Sequence, residues 1–401
     1  MKIRPVILCG GAGTRLWENK KHHQPKQFIN FGGWNLFEKT LNRIKEKKFD
    51  DPIISTNLKY LKQVKQLLKK SKIRRYDIVL EPAKKNTAPA ILCSTLIAKI
   101  PFNQPLIFFP ADHLIKNSKK FNNIIFKNQK NLNNQNILLF GIKPNVPSKE
   151  YGYFLTKKIP NKPNKIIKFI EKPAIVKAKK LIKKGGCWNS GIFFARKDSI
   201  IDHFKKYQSV LYKNCYKSVL KSKIKKNIHF LNKPAFAMIK PISFDYAILE
   251  KTENISGIII NISWTDFGNW KEILKNFYSE KPKYFNKINV YYRPWGSYVN
   301  LFHGKNFLIK ELTVNPKSSI SLQKHRYRSE HWMVIRGKPM ITLNKRKFFK
   351  KINETIFIPV RTIHRIENLY NNPVKIMEAQ IGSILKETDI VRYKDIYGRV
   401  N

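Results

Sequence analysis

The sequence predicts an α/β domain with a mainly parallel sheet, followed by a separate all-β unit. Three observations carry this. From the start to about Ile262, short apolar runs that read as buried strands alternate with helical stretches. The first of those runs, Val6 to Cys9, empties into a glycine-rich turn, Gly10-Gly11-Ala12-Gly13. After about Tyr291 the texture changes to short alternating runs separated by Asn, Gly, Pro and Lys, the pattern of successive short strands.

In order along the chain, Pro52 to Ser55, Ile78 to Leu80 and Leu106 to Phe109 read as strands, and Leu58 to Lys69 and Ala88 to Lys99 as helices. In such a sheet, ligands gather beyond the carboxyl ends of the strands, where the glycine turn falls. Glycines let successive backbone N–H groups converge on an anion, and Arg15 and Lys26 bring fixed positive charge to the same mouth. Thr14-Arg15 follows Gly13 where a P-loop needs Lys-Ser/Thr, and Leu16 stands where the dinucleotide fingerprint needs a third glycine. The mouth therefore suits a nucleoside triphosphate held in another way. Ser279 to Asn289, rich in Lys, Pro and Asn, marks the boundary. It divides the chain into 1–280, a short linker 281–291, and 292–401. Phe307 to Ile309, Trp332 to Ile335 and Thr355 to Ile358 read as strands of the second part.

Composition bounds the function. At 401 residues with 42% hydrophobic, the chain is long enough for two or three full cores. The net charge of +53 invites a nucleic-acid reading. The lysines, however, are scattered among Asn and Ile along nearly the whole chain, so nucleic acid is not the expected partner; the excess would steer small anionic substrates. Cys9, Cys93, Cys187 and Cys215 show no paired spacing, so reduced, mostly buried thiols and a cytoplasmic location are expected. No segment is long and apolar enough to span a bilayer, so no membrane is expected as a partner.

Several polar groups interrupt apolar frames. Asp112, in Pro110-Ala111-Asp112-His113, should stand at a strand's carboxyl end. Asp266, in Trp264-Thr265-Asp266-Phe267-Gly268, is a second acid, and two carboxylates brought together suit Mg²⁺ against phosphate oxygens. Glu81-Pro82-Ala83-Lys84-Lys85-Asn86-Thr87 ends a strand and leads into a helix with Asn86 or Thr87 as cap. Gly152, between Tyr151 and Tyr153, allows close backbone approach or marks a strand kink. Glu171-Lys172 is either part of a site or a surface ion pair, and Asn189, in Trp188-Asn189-Ser190-Gly191, suits sugar hydroxyls or lies in a plain turn.

Taken in order, these segments resemble the sugar nucleotidyltransferases, and among them the type II mannose-1-phosphate guanylyltransferases, many of which carry a C-terminal phosphomannose isomerase domain. The resemblance runs from Pro5 to Trp270 and resumes at Arg293. It implies a Rossmann-like nucleotidyltransferase domain in which Gly10, Gly11, Gly13 and Thr14 bind GTP, with Arg15 and Lys26 on its phosphates. Asn86 and Thr87 would lie near the nucleoside, and Asp112 and Asp266 would hold Mg²⁺. Gly152, Glu171, Lys172 and Asn189 would receive mannose 1-phosphate. Lys85 stands where the family usually has Arg. The join between Asp266 and Arg293 is much shorter than in related proteins. A homo-oligomer is compatible with this reading.

In the second part, Gln323-Lys324-His325-Arg326-Tyr327-Arg328-Ser329-Glu330-His331 and Ile358-Pro359-Val360-Arg361-Thr362-Ile363-His364 resemble the two cupin motifs of an all-β jelly roll. By that resemblance His325, Glu330 and His364 are ligands for Zn²⁺ or another divalent transition metal. Tyr327 replaces a usual His and Arg361 a usual Gly, which predicts a weakened site. If the site works, mannose 6-phosphate and fructose 6-phosphate interconvert. A basic nucleic-acid-binding protein on a relic scaffold is the non-enzymatic alternative.

Overall fold

Val6 and Ile7 lie next to each other in the first apolar run, yet they belong to different cores, one on each face of a sheet. Val6 shares a core with Leu106, Phe108, Ala88, Ile91 and Leu92, whereas Ile7 shares one with Ile107, Phe109 and Phe121. A strand buried on both faces needs no polar alternation, which explains the continuous apolar runs. The structure, a computed structural model, describes residues 1–11, 25–29, 34–156, 162–268, 290–304 and 306–394. It divides into two units, Met1–Ile29 with Asn35–Asp266 and Asn30–Trp34 with Phe267–Asn401. Most of the join, 281–289, lies outside the described residues. Among those residues no helix is long and apolar enough to cross a membrane.

The strands of the first unit are β1 (Arg4–Leu8), β2 (Ile53–Asn57), β3 (Asp77–Glu81), β4 (Pro105–Pro110), β5 (Leu114–Ile115), β6 (Ile137–Ile142) and β7 (Tyr153–Thr156). They continue with β8 (Asn164–Ile170), β9 (Cys187–Arg196), β10 (Lys223–Lys225), β11 (Ile228–Phe230), β12 (Ile255–Ile260) and β13 (Trp264–Thr265). Eleven of them form one sheet in the order β10-β11-β3-β2-β1-β4-β9-β6-β12-β8-β7. It is parallel from β11 to β4, where strand and helix alternate in sequence, and again between β6 and β12. Beyond β4 it is mixed, because β9 runs antiparallel between β4 and β6.

Helices α1 (Leu36–Arg43), α2 (Leu61–Lys70) and α3 (Thr87–Ile97) cover the sheet. Asn35 and Glu38 close a reciprocal capping box on α1. The helix expected from Leu58 begins with a 3₁₀ turn, Leu58–Tyr60, before α2. The helix expected from Ala88 starts one residue earlier and stops at Ile97; Asn86, at φ +69°, is its cap. Asn tolerates that left-handed conformation better than most residues. All four cysteines are free and buried.

Phe154 of β7 is wholly buried and lies across two glycines, Gly141 of β6 and Gly257 of β12, whose missing side chains make room for its ring.

The second unit is two antiparallel sheets. Its strands are β14 (Val290–Arg293), β15 (Gly296–Gly304), β16 (Phe307–Val314), β17 (Leu322–His325), β18 (Arg328–Arg336), β19 (Met340–Leu343) and β20 (Arg346–Phe349). The remainder are β21 (Thr355–Ile358), β22 (His364–Glu367), β23 (Val374–Gly382) and β24 (Ile390–Lys394). The sheets run β14-β15-β16-β23-β18-β21 and β20-β19-β22-β17-β24. Leu312, Trp332 and Ile376 from one sheet and Ile341 and Ile366 from the other share a core, as two packed sheets of a jelly roll must.

Emptying the space over the two glycines should be costly. Phe154→Ala is expected to lower stability by about 3–5 kcal/mol, read as a fall in the urea midpoint of the first unit's unfolding transition.

Candidate functional site

Because β1 to β4 are mutually parallel, the residues after Leu8, Asn57, Glu81 and Pro110 emerge on one edge. Gly10 and Gly11 lie there; Gly13, Thr14 and Arg15 fall outside the described residues. The buried turn Lys26–Phe28 supports the loop, with Gln27 Nε2 donating to the Gly11 carbonyl at 2.9 Å. A Cβ added to Gly10 would lie 3.5 Å from Glu81 Oε1. Glu81 thus joins the glycine loop, a role the sequence reading did not assign. The available signal was its place as the last residue of an apolar run on the same edge. Burial pushes its carboxyl up to about 7, while Ser55 Oγ, donating at 2.6 Å, pulls it down.

Asp112 and Asp266 are far apart in sequence and are brought together by the shortest strands in the unit. β5 pairs antiparallel with β13, Thr265 opposite Leu114 and Trp264 opposite Ile115. The next residues along that register are His113 and Asp266, with Asp112 one step further. Lys26, 3% exposed, joins the two segments: its ammonium lies 2.9 Å from Asp112 Oδ2 and donates to the Asp266 backbone carbonyl. Asp112 keeps 32% of its side chain in solvent, whereas Asp266 is buried and accepts from the Tyr151 hydroxyl at 2.8 Å. Burial holds His113 down to about 4 despite Asp112 and Asp266 nearby, so it is neutral at pH 7. Two carboxylates at the rim of the glycine loop are a hard-oxygen donor set that fits Mg²⁺.

The residues expected to receive the sugar adjoin this pair. Gly152 follows Tyr151, and a Cβ on it would meet Glu171 Oε2 and sit 3.2 Å from Phe169 Cζ and 3.5 Å from Asn189 Cβ. Asn189 lies within β9 at a bulge, where the ladder with β6 passes from Gly141–Asn189 to Leu139–Phe193 and Gly191 takes φ +70°. The bulge rules out the plain-turn reading. Lys172, at φ +45° and half exposed, lies 3.6 Å from the carboxylate of Glu171, whose side chain is buried. The sequence reading missed Asp245. It opens a π-turn, Asp245–Leu249, and accepts from Asn189 Nδ2 at 2.9 Å. Burial lifts Glu171 to about 7, with Asp245 adding to it, and lifts Asp245 to about 6. Asn86 is exposed at the start of α3, while the Thr87 hydroxyl is occupied in accepting from Phe244 N–H at 2.8 Å. Lys85 Nζ donates to the Ala237 carbonyl at 3.0 Å.

A second cluster lies inside the C-terminal unit. His325 ends β17, Glu330 sits in β18 and His364 opens β22; all three are buried, with ligand atoms within 4.8 Å of one another. His325 Nε2 is 3.0 Å from Glu330 Oε1, and His364 Nε2 is 3.6 Å from Oε2. His364 Nδ1 lies 2.9 Å from the Thr362 carbonyl, and Nε2 has no hydrogen-bond partner. That is how a ligating imidazole is usually oriented. Burial pushes Glu330 up, but His325, His364 and Arg328 outweigh it and hold the carboxyl well below its ordinary range. The orphaned imidazole nitrogen and the His₂Glu donor set fit a divalent transition metal.

The two departures at this site have different consequences. Tyr327, which stands where the resemblance expects a further His, is 50% exposed. Arg361 takes φ +66° and its N–H donates to the His325 carbonyl at 2.7 Å. The turn therefore keeps a conformation that favours glycine and strains Arg.

Comparison with known proteins agrees with this architecture. The family described as Nucleotidyl transferase matches residues 4–281, and that described as Mannose-6-phosphate isomerase C-terminal matches residues 280–395. The alginate biosynthesis protein AlgA of Pseudomonas putida is 28% identical over 469 aligned positions, covering 99% of this chain and 96% of its own. A mannose-1-phosphate guanylyltransferase of Salmonella montevideo is 28% identical over 471 positions, covering 99% and 100%. Both alignments are longer than the 401-residue chain, as a shortened segment requires. Among solved structures, a mannose-6-phosphate isomerase from Helicobacter pylori aligns with TM-score 0.57 at 27% identity, over 66% of this chain and 100% of that one.

Glu81 gives a pH signature. A carboxyl raised by burial stabilises the fold while protonated and loses that contribution as pH rises from its unfolded value of 4.5 to about 7. Glu81→Gln does not titrate. Between pH 4.5 and pH 8 its stability should gain on the wild type by about 3 kcal/mol, measured by chemical denaturation. Parallel pH profiles would show that Glu81 is not buried as described.

Proposed function

Since the chain belongs to the nucleotidyl transferase family and carries a mannose-6-phosphate isomerase C-terminal domain, we propose that its first unit transfers GMP from GTP to mannose 1-phosphate, giving GDP-mannose and pyrophosphate. The observation that carries this reading is the continuous run of polar groups from the glycine loop through Lys26, Asp112 and Asp266 to Tyr151, Gly152, Glu171 and Asn189. A triphosphate at one end and a sugar phosphate at the other meet at the acid pair.

The roles follow from chemistry. Backbone N–H groups of the glycine loop, with Arg15 and Lys26, hold the triphosphate. Asp112 and Asp266 would hold Mg²⁺, which when bound offsets negative charge on the phosphates. Glu81 offers a carboxylate acceptor near the glycine loop, suited to the N1–H and N2–H donors of guanine, and Asn86 borders the same region. Lys172 meets the phosphate of the incoming sugar, while Glu171, Asn189 and the Gly152 backbone meet its hydroxyls. The sugar-phosphate oxygen attacks the α-phosphorus in line and pyrophosphate leaves. No side chain becomes covalent, so positioning and charge neutralisation supply the catalysis.

The His325–Glu330–His364 cluster favours a second activity in the C-terminal unit. With Zn²⁺ or a similar metal bound, it would interconvert mannose 6-phosphate and fructose 6-phosphate by proton transfer between adjacent carbons. Inability of metal-replete protein to interconvert them would exclude that activity.

Pyrophosphate release tests the main reading, with GTP, Mg²⁺ and mannose 1-phosphate set against glucose 1-phosphate and other nucleotides. Release should be fastest with the stated pair. Asp112→Asn should lower kcat by about 10²–10³-fold or more, and near-normal turnover in that variant would sink the metal assignment.

A further inference from the structure

One short segment of the first unit, residues 242–250, touches both ends of the site. Ile242 exchanges backbone hydrogen bonds with the loop that leads into α3. Its N–H donates to the Lys85 carbonyl and its carbonyl accepts from Ala88 N–H, each at 3.2 Å. Phe244 N–H donates to the Thr87 hydroxyl at 2.8 Å. These bonds reach the side read as facing the nucleoside. Three residues at the other end reach the side read as facing the sugar. Asp245 Oδ1 accepts from Asn189 Nδ2, and Glu250 Oε1 accepts from the Glu171 backbone N–H, each at 2.9 Å. Between the two, Phe244 is wholly buried and packs on Phe193 of β9, ring centroids 4.9 Å apart.

The π-turn explains how Asp245 and Glu250 both serve the sugar side. In an α-helix, with about 3.6 residues per turn, side chains five positions apart diverge by roughly 140°. Here Glu250 N–H donates to the Asp245 carbonyl at 3.0 Å. That i→i+5 bond widens the turn and brings the two residues back toward one face. Asp245 also settles how Asn189 is used. The Asn189 amide oxygen accepts from Gly191 N–H at 3.1 Å while its nitrogen donates to Asp245, so turning the amide over would lose both bonds. One Nδ2 hydrogen is left for a hydroxyl oxygen.

We propose that segment 242–250 is a positioning strut that couples the two substrate subsites, so that a nucleotide bound beside Asn86 and Thr87 tightens binding of the sugar phosphate at Asn189 and Glu171. The proposal rests on the transferase reading above, and it gives Asp245 a positioning role exerted through Asn189. A ligand that fixes the loop before α3 fixes the strut, and less freedom is then lost when the second ligand arrives. Such coupling is reciprocal: each ligand changes the affinity of the other by the same factor.

Calorimetric titration of the full chain with mannose 1-phosphate, in Mg²⁺ buffer, tests this with and without saturating α,β-methylene-GTP, whose α–β bridge does not cleave. The nucleotide should tighten sugar-phosphate binding about fivefold or more in the wild type. Asp245→Ala should raise the Kd for mannose 1-phosphate about tenfold and cut the coupling factor below about twofold. Its affinity for the GTP analogue alone should stay near that of the wild type. Asp245→Asn keeps an acceptor oxygen for Asn189 and should restore the coupling. At the opposite end, Thr87→Val should lower the same factor, whereas Thr87→Ser, which keeps the hydroxyl that Phe244 N–H reaches, should not. A merely structural role for either residue would weaken one substrate and leave the factor intact. Glu250→Ala, at an exposed position, serves as the second variant if Asp245→Ala does not fold. Absence of coupling in the wild type overturns the proposal, as does a wild-type factor in both the sugar-side variant and Thr87→Val. Pyrophosphate release by the wild type, over the same panel of nucleotides and sugar phosphates, reports separately on the transferase reading. Turnover without coupling removes the strut alone, and no turnover with any pair removes the reading and the strut with it.

Discussion

A single buried ammonium organises the first unit's site. Lys26 is almost wholly removed from water, and such a charge persists only with partners close by. It has two: the carboxylate of Asp112 and the backbone carbonyl of Asp266. Through them the turn after the glycine loop, the end of β4 and the segment after β13 are held in one place. The Asp266 carboxylate accepts from the Tyr151 hydroxyl. Tyr151 in turn fixes the position of Gly152 and the start of β7. The glycine loop and the group around Gly152 therefore share one electrostatic pivot.

The acids around that pivot differ from the acid in the barrel for a physical reason. Glu81, Glu171 and Asp245 are pushed up by burial, with no cation strong enough nearby to reverse it. Groups poised in this way can accept hydrogen bonds from nucleoside and sugar donors at little further desolvation. Glu330 is equally buried, yet two imidazoles and Arg328 hold it ionised. An ionised carboxylate between two histidines is the state a metal ligand needs.

Much of this was legible in the sequence, and the rest was hidden for identifiable reasons. The glycine loop, Asp112 and the Glu81–Thr87 segment were visible because an apolar strand ends just before each. The meeting of Asp112 with Asp266 was not, because it depends on a pairing of two-residue strands with no periodicity to detect. Asp245 was missed because a π-turn leaves no pattern distinct from an ordinary helix. The bulge that aims Asn189 depends on register against β6, a long-range property. At the second site the resemblance picked out all three residues that the fold brings together, His325, Glu330 and His364.

The chain's large positive charge obscures which cations matter, and burial recovers them. Lysines and arginines number 79, and an exposed one is weakly coupled to anything. Among the described residues the buried basic side chains are Arg4, Lys26, Arg43, Lys310 and Arg328. Arg4 is bound to Asp77 and Asp50, an ion-pair cluster away from either site. Arg43, pushed down to about 10 by burial, donates to the carbonyl of His113, beside Asp112. Lys26 joins the acid pair, Arg328 holds Glu330, and Lys310 lines the barrel interior. Compositional drift adds lysine where water can solvate it, at small energetic consequence. Placing a cation in a protein interior requires a specific partner, so Lys26 and Arg43 mark the acid pair and Arg328 the His–Glu cluster, which net charge alone could not reveal.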